Sequence, residues 1–168
     1  MLHNCENLMV EQLDPRDFRR TLGCFATGVT VVTTLGKTGQ PIGLTVNSFT
    51  SVSLDPPLVL WCLTSNSPSL EAFLEAPNFA ISVLAATQEE LVQRFARYAE
   101  DKFASVDWRP GVNGVPVLAG AAATFECRRE RVVDAGDHHV LFGEVVAYRR
   151  GDAEPLIYCQ GSLLPART

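Results

Sequence analysis

The chain has 168 residues, of which 46% are hydrophobic and 20% charged, a composition typical of one soluble globular domain. Its net charge of −5 argues against a nucleic-acid partner, because a phosphate-binding surface needs an excess of Lys and Arg. No apolar run reaches bilayer-spanning length and no secretory signal is visible, so we expect a cytoplasmic protein with no membrane partner.

The first half of the chain is predicted to form one short helix and four strands. Residues 1–13 are predicted to be a flexible N-terminal arm, and residues 14–168 one domain. Asp14 can cap a helix that begins at Pro15 and carries three apolar residues on one face, Phe18, Leu22 and Phe25. Runs rich in β-branched and apolar residues predict strands over 29–34, 42–46, 51–53 and 58–63, with a Gly-Lys-Thr-Gly turn at 36–39.

The second half is predicted to contain two more helices and four more strands. Ser67 and Pro68 predict a helix start, and Pro77 its end. Thr87 and Glu90 suggest a capping box for a helix with Leu91, Phe95 and Tyr98 on one face. Residues 108–118 are predicted to be loop, and the strands to cover 79–84, 123–133, 140–148 and 156–158. Many short strands with few helices favour a closed or partly closed antiparallel barrel.

The five cysteines indicate thiols rather than disulfides or a metal site. Their number is odd and none lies in a CxxC pair, so we expect reduced, mostly buried side chains in a reducing compartment. A zinc site would need clustered Cys and His, which the sequence does not offer. The residues concerned are Cys5, Cys24, Cys62, Cys127 and Cys159.

The segment Thr45–Ser53, TVNSFTSVS, is the main candidate for ligand binding. It carries six small polar side chains in nine residues and no charge, and its hydroxyls, carboxamide and backbone N–H groups can bind phosphate and ring heteroatoms. A solvated Thr-rich strand is the alternative interpretation. The Asp55-Pro56-Pro57 sequence that follows is interpreted as a rigid turn.

Common catalytic and nucleotide-binding motifs are missing from the sequence. It contains no G-x-S-x-G, P-loop, H-E-x-x-H or G-x-G-x-x-G pattern. With few candidate acids and bases, we expect a bound cofactor to supply the chemistry.

Four segments in order resemble the short-chain flavin reductases, the reductase components of two-component flavin monooxygenases. These segments are FATGVTVVTT, GLTVNSFTSVSLDPPLVL, RFA followed by DKF, and GDHHVLFGEV. The resemblance implies a mainly β protein with short helices, a split β-barrel with Greek-key topology that works as a homodimer. It also implies an NAD(P)H:flavin oxidoreductase that reduces FMN or FAD with NADH or NADPH and supplies reduced flavin to a partner monooxygenase.

The resemblance places one group of residues along the flavin: Val46, Asn47, Ser48, Thr50 and Ser51. Backbone N–H groups near Asn47 and Ser48 would face the pyrimidine edge of the ring, and the Thr50 and Ser51 hydroxyls would suit the ribityl–phosphate end. Because side chains alternate along a strand, at least one member of the group is expected to be structural. Thr30, on the neighbouring strand, is a further candidate.

The resemblance implies separate roles for residues further along the chain. Lys102 is the predicted counter-charge of the flavin phosphate, with Arg94 and Arg97 as alternatives, and Phe95 a ring or adenine contact. The His after Gly136-Asp137, His138, is the predicted catalytic residue that seats the nicotinamide nucleotide, with Asp137 orienting or charging its imidazole. Tyr158 is a candidate on the last strand, although the divergent Ser162-Leu163-Leu164 puts a C-terminal nucleotide contact in doubt.

Three alternatives remain open from the sequence. The protein could hold flavin tightly and reduce a metal centre, it could be a non-enzymatic flavin- or haem-binding module, or it could be a structural barrel without a ligand. The choices between FMN and FAD and between NADH and NADPH are not decided by any motif.

Overall fold

The computed structural model describes residues 13–99 and 101–166. The predicted arm at 1–13 lies outside this range except for Leu13, as does Cys5. The helices are α1 Pro15–Leu22, α2 Leu70–Glu75 and α3 Glu89–Ala96, with a 3-10 turn at Ala86–Gln88 before α3. The strands are β1 Thr27–Gly28, β2 Thr30–Leu35, β3 Pro41–Val46, β4 Thr50–Leu54, β5 Pro57–Thr64, β6 Asn78–Val83, β7 Trp108–Pro110, β8 Pro116–Leu118, β9 Ala123–Ala135, β10 His138–Arg150, β11 Leu156–Cys159 and β12 Ser162–Pro165.

Seven strands form one antiparallel sheet in the order β3-β2-β6-β9-β10-β5-β4. The two edge strands, β3 and β4, are joined only by residues 47–49. Six strand spacings of about 4.8 Å would separate the edges of a flat sheet by about 29 Å. Four Cα–Cα steps of about 3.8 Å span at most about 15 Å, so the sheet must curl until its edges meet. The predicted mainly β barrel is therefore confirmed, and its consecutive strands β5 and β6 are separated by β9 and β10, as Greek-key connections require.

The core lies on both faces of the curled sheet. Inside the barrel, Trp61 packs edge-on against Phe73 and Phe79, with ring centroids 5.0 and 5.9 Å apart. Outside it, a second cluster joins α3 to β2 and β11. Neighbouring residues of β2 supply both clusters, Val32 the first and Val31 the second, because strand side chains alternate between faces.

Gly43 sets how closely α3 approaches the barrel. A Cβ at this position would lie 2.8 Å from Phe95 Cε1 and 3.1 Å from Phe103 Cζ. Both rings are buried and meet edge-to-face at 5.1 Å. The absence of a side chain at Gly43 thus lets the end of α3 lie directly on β3.

Two smaller sheets complete the fold, and they include strands that were not predicted. β1, β11 and β12 form one, and β7 pairs with β8 in the other. The predicted loop at 108–118 therefore contains two short strands. The turn from β4 to β5 holds Asp55-Pro56-Pro57, as expected, and the Asp55–Pro56 peptide bond is cis.

Several helix predictions need correction. α2 begins at Leu70, after Ser69, rather than at Pro68. The Thr87–Glu90 capping box is wrong: the Gln88 side chain accepts from Ala85 N–H and donates to the Ala119 carbonyl, which ties the helix start to distant backbone.

The predicted faces of two helices also differ from those observed. α3 ends at Ala96, so Tyr98 lies beyond it and is 83% exposed. Within the described ranges, α1 buries no residue: Phe18, Leu22 and Phe25 are all exposed, and Phe25 lies beyond the helix. Among the described helices, none has the length and apolarity that crossing a bilayer requires.

Candidate active site

A cavity of about 480 Å³ lies where the end of β3, the loop after β5, the end of α3 and the β9–β10 turn meet. One wall is uncharged and rich in hydroxyl and carboxamide groups, and the other side carries charged groups. The polar lining consists of Thr45, Asn47, Ser48, Thr64, Asn66, Ser67, Ser69, Arg97, Lys102 and His138.

The crossover from β3 to β4, residues 47–49, is held by the side chain of Ser48. Its Oγ accepts from the Cys62 N–H at 2.9 Å and donates to the Cys62 carbonyl at 3.3 Å. The hydroxyl therefore pairs with β5 much as a strand backbone would. The N–H groups of residues 47–49 donate to no protein group in the described part of the chain. Those of Asn47 and Ser48, which line the cavity, are therefore available to a ligand.

Two threonine hydroxyls fix the start of the crossover and have no donor left for a ligand. Thr30, 1% exposed, donates to the Val46 carbonyl at 3.0 Å. Thr45 donates to the Val92 carbonyl of α3 at 2.9 Å. Thr30 therefore holds the backbone at Val46 by a hydrogen bond and does not line the cavity, where it was predicted to contact a ligand.

Lys102 brings a cation to the cavity and closes the end of α3. Its Nζ donates to the carbonyls of Phe95, at 3.0 Å, and Gly43, at 3.2 Å. An ammonium group has three donors, so one remains for a ligand. Partial burial lowers the pKa of Lys102 from its ordinary value.

Arg97 and Tyr98 line the cavity beside Lys102, and both are exposed. Arg94 instead donates to the Ala104 carbonyl. Phe95 lies against the cavity, yet its ring is 0% exposed in the core with Phe103. The aromatic side chain able to reach a ligand from this wall is therefore that of Tyr98, which the sequence pattern had assigned to the helix face.

The opposite wall is the β9–β10 turn. Nδ1 of His138 lies 2.7 Å from Oδ1 of Asp137, and Nδ1 of His139 lies 2.8 Å from Oδ1 of Asp134. The hydrogen bond between Asp137 and His138 lowers the pKa of the Asp137 carboxyl group. Because an ionised carboxylate can only accept, Nδ1 carries the proton and Nε2 is left free for a ligand. The two imidazoles have separate partners, and His138 is the one that lines the cavity.

The loop at 64–69, Thr-Ser-Asn-Ser-Pro-Ser, forms a polar wall that the sequence reasoning missed. The Ser65 N–H donates to the Asp137 carbonyl at 2.9 Å, which joins this loop to the His138 turn. Thr64 also pairs with His138 in the β5–β10 ladder. The same signal that marked 45–53, a run of small polar residues, is present here, but only the strand register brings it to the cavity.

Of the remaining predicted site residues, two line this cavity and three lie beside it. Val46 and Asn47 line both the cavity and a smaller groove of about 230 Å³ behind it. Tyr158 lines that groove together with Leu163 of the unpredicted β12. Thr50 and Ser51 stand exposed on the edge strand β4, beyond the crossover.

Comparison with known proteins gives one consistent family. The model of the flavin reductase like domain family matches residues 22–166. The "probable flavin reductase" of Rhizobium meliloti is 47% identical over 160 residues, which are 95% of this chain but only 51% of that protein. The chain thus spans about half the length of this relative.

Three further proteins are similar over most of both chains. The FMN reductase (NADH) SmoA of Agrobacterium fabrum is 51% identical over 88% of this chain and 83% of its own length. The reductase subunit HsaB of a flavin-dependent monooxygenase of Mycobacterium tuberculosis is 41% identical over 91% of this chain and 83% of its own. The crystal structure of the Streptomyces globisporus NADH:FAD oxidoreductase SgcE6, in complex with NAD and FAD fragments, superposes with a TM-score of 0.85 at 43% identity, covering 90% of this chain and 94% of that one.

Proposed function

The chain belongs to the flavin reductase-like domain family, and from this membership we propose that it is an NAD(P)H-dependent reductase of FMN or FAD. The observation that carries the proposal is the arrangement of the cavity, with free backbone donors on one wall and the Asp137–His138 pair on the other. When bound, the flavin supplies the redox chemistry by accepting a hydride from the reduced nicotinamide. Alignment of the two rings and electrostatic stabilisation are the contributions of the protein.

The cavity fits a flavin by size and by the chemistry of its donors. Its volume of about 480 Å³ lies within the usual range of ligand sites, about 300–1,000 Å³. The N–H groups at Asn47 and Ser48 would hydrogen-bond the pyrimidine edge of a bound flavin, where negative charge grows on reduction. Ser48 contributes by fixing these groups, since its own hydroxyl is occupied by Cys62.

Lys102 and Arg97 are the proposed phosphate contacts. The third donor of the Lys102 ammonium and the exposed guanidinium of Arg97 lie on the same side of the cavity. Thr50 and Ser51 stay candidates for a ligand tail that extends past the crossover. Tyr98 is a better candidate than the buried Phe95 for stacking on a ring.

His138 is proposed to seat the nicotinamide nucleotide. Asp137 holds its Nδ1, so Nε2 can donate to or accept from the ligand, according to the charge of the ring. Hydride transfer itself requires no proton from the protein, so positioning is the role assigned to this imidazole. Tyr158, behind the crossover, is a further candidate contact of either ligand.

We further propose that reduced flavin leaves the protein to serve a monooxygenase; the similar HsaB is the reductase subunit of a flavin-dependent monooxygenase. Release must keep pace with turnover. With association at about 10⁶–10⁷ M⁻¹s⁻¹, a Kd of about 1 μM gives release at about 1–10 s⁻¹, within the usual range of turnover. A flavin that stays bound through gel filtration would favour the metal-centre reductase instead.

A cytoplasmic homodimer is the proposed state of the protein. The exposed Phe18, Leu22 and Phe25 form an apolar surface around α1 that a second copy would cover. Light scattering after gel filtration would distinguish the dimer from a monomer of 18.3 kDa.

The proposed compartment is supported by the cysteines. Cys24, Cys62, Cys127 and Cys159 are all free thiols in the described part of the chain, in keeping with a reducing compartment.

Steady-state assays test the proposed activity directly. Purified protein is expected to oxidise NADH or NADPH in the presence of added FMN or FAD. Absence of activity with all four pairs, from a protein that is folded and binds flavin, would favour a non-enzymatic binding module. Absence of flavin binding as well would favour a barrel without a ligand.

A further inference from the structure

A second groove, of about 430 Å³, lies at the open end of the β9–β10 hairpin, and the proposed function makes no use of it. It shares no lining residue with the candidate active site. Arg149, in this groove, stands eleven residues from His138 on the same strand, which is up to about 36 Å along an extended chain. The groove is therefore separate from the site proposed for the flavin.

Thr124 lines this groove with a hydroxyl that is free to bind a ligand. The residue as a whole is 7% exposed, and within the described part of the chain its hydroxyl makes no hydrogen bond. Among the described residues, the fully buried side-chain polar atoms without a partner are Thr27 Oγ1 and Trp61 Nε1, so the Thr124 hydroxyl is open to the groove rather than sealed in the core. Thr124 pairs with Arg149 of β10 on one side and Ser82 of β6 on the other. Side chains directly opposite in a ladder share a face, so Thr124 and Arg149 lie side by side in the groove.

Three arginines and two aspartates line the groove; of the arginines, Arg109 lies 3.9 Å from Glu126 and the other two form no ion pair within the described ranges. Neither Arg149 nor Arg150 forms an ion pair with any described residue, whereas Arg128 and Arg131, nearer the other end of the same hairpin, pair with Glu144 and Glu130. Asp107 and Asp152 line the groove, but neither carboxylate forms an ion pair within the described ranges. A guanidinium beside a free hydroxyl is a pair of donors that matches a carboxylate.

The remaining wall is apolar. Trp108, half-buried, meets Phe103 edge-to-face at 5.9 Å and lines the groove together with Val117 and Leu118. An aromatic side chain in this lining favours a flat apolar body over a compact, fully hydrated anion.

We propose that this groove binds a small aromatic carboxylate, with its carboxylate on Arg149 and Thr124 and its ring against Trp108. The proposal is independent of the flavin reductase activity, because it depends on no residue of the candidate active site. Arg150, with its guanidinium free of ion pairs at the same edge, adds to the attraction for an anion.

Tryptophan fluorescence tests the proposal with benzoate as the probe. The chain has two tryptophans, and Trp61 is 0% exposed in the barrel core, so a ligand in the groove should change the emission of Trp108 alone. Benzoate is expected to give a saturable change that inorganic phosphate at equal ionic strength does not give. Trp108→Phe should remove the signal while calorimetry still detects binding.

Substitutions locate the binding. Arg149→Gln and Thr124→Val should each weaken benzoate at least about tenfold, the usual scale for a lost bond to a charged group. Arg131→Gln, at the other end of the hairpin, should not. Flavin affinity, measured in every variant, verifies the fold. The proposal is overturned if benzoate gives no saturable change, if Arg149→Gln binds it as tightly as the original protein, or if phosphate saturates the site equally well.

Discussion

The hydroxyl of Ser48 and the backbone of Cys62 exchange two hydrogen bonds, and through them the barrel closes beside the candidate active site. Cys62 N–H donates to Ser48 Oγ at 2.9 Å, and the hydroxyl donates to the Cys62 carbonyl at 3.3 Å. A serine side chain thus substitutes for backbone pairing in the three residues that join the two edge strands. These residues also carry the free N–H donors. The hydrogen bonds that close the barrel therefore also position the donors of the candidate active site.

Ser48→Ala is predicted to weaken flavin binding about tenfold and to lower the free energy of unfolding by about 1–3 kcal/mol, since it leaves two Cys62 groups unpaired. Ser82→Ala is a matched control, because Ser82 also accepts a buried backbone N–H, that of Leu118 at 3.2 Å. It should lose stability but keep its flavin affinity. Denaturant unfolding and fluorescence titration of flavin measure the two quantities. Equal loss of flavin affinity in both variants would contradict a local role for Ser48.

Lys102 is predicted to make the affinity for FMN depend on pH at alkaline values. Burial lowers its pKa, so the ammonium loses its proton below the ordinary lysine value of about 10.4. The affinity for the phosphate should therefore fall as the pH rises through this lowered pKa. Lys102→Met should bind FMN about tenfold more weakly at neutral pH, on the scale of a charged hydrogen bond, and show no such pH dependence. Riboflavin, which lacks the phosphate, is the control ligand: its affinity should be unaffected by the substitution.

The same lowered pKa has a consequence for stability. A basic group whose pKa is depressed on folding costs stability while it is charged, and the cost disappears as the pH rises through the window between its folded and unfolded values. In Lys102→Met that gain of stability at alkaline pH should be absent. Unfolding measured from neutral pH to pH values near the ordinary lysine pKa provides the comparison.

Asp137 is predicted to stay ionised, and to hold His138, at pH values below the ordinary range of an aspartate. The hydrogen bond with His138 depresses its pKa, so the contribution of the carboxylate is present above the unfolded pKa and lost only as the pH falls through the folded one. Carboxyl NMR titration should show the Asp137 signal moving at lower pH in the original protein than in His138→Ala. An unchanged titration in the variant would show that the pair does not exist in solution.

Gly43→Ala is predicted to destabilise the protein by about 1–3 kcal/mol, the usual cost of overpacking. The new Cβ would lie 2.8 Å from a ring carbon of Phe95, and this ring is buried where α3 packs on β3. Either the ring or the helix would have to shift. Gly28→Ala is the matched control, since a Cβ there would have no neighbour within 4 Å. Similar denaturation midpoints for both variants would rule out the tight approach of α3 to β3.

Cys62 is predicted to report occupancy of the cavity. Its thiol lines the cavity and burial raises its pKa, so alkylation should be slow and slower still with flavin bound. Cys24, outside the cavity, should be alkylated at the same rate with and without flavin, and Cys127, whose pKa burial raises to about 12, should not react in the folded protein. Mass spectrometry of the labelled peptides follows all three at once. Protection of Cys24 rather than Cys62 by flavin would place the ligand elsewhere.

The strands were predictable because their signals are local. The β-branched run at 30–35 is buried at nearly every position, and the long hairpin β9–β10 is turned at Gly136, whose φ of 63° favours glycine. The polar crossover and His138 were found by composition and by resemblance, and both line the cavity.

The parts that sequence reasoning missed depend on distant contacts. The periodicity of α3 runs on to Tyr98, but Lys102 closes the helix at Phe95, and Arg97 is extended. The start of α3 is likewise set by a bond from Gln88 to Ala119, thirty-one residues away. The polar loop at 64–69 joins the site only because β5 pairs with β10, and no local pattern carries that register.

Anaerobic stopped-flow mixing of the protein–flavin complex with reduced nicotinamide nucleotide is the decisive experiment on the proposed reaction. Bound flavin is expected to be bleached at a rate that saturates with nucleotide. In His138→Ala, about tenfold more nucleotide should be needed for half-saturation, on the scale of a lost charged hydrogen bond, while the flavin Kd is unchanged. No bleaching with either NADH or NADPH, with FMN or FAD bound, would contradict the proposed reaction.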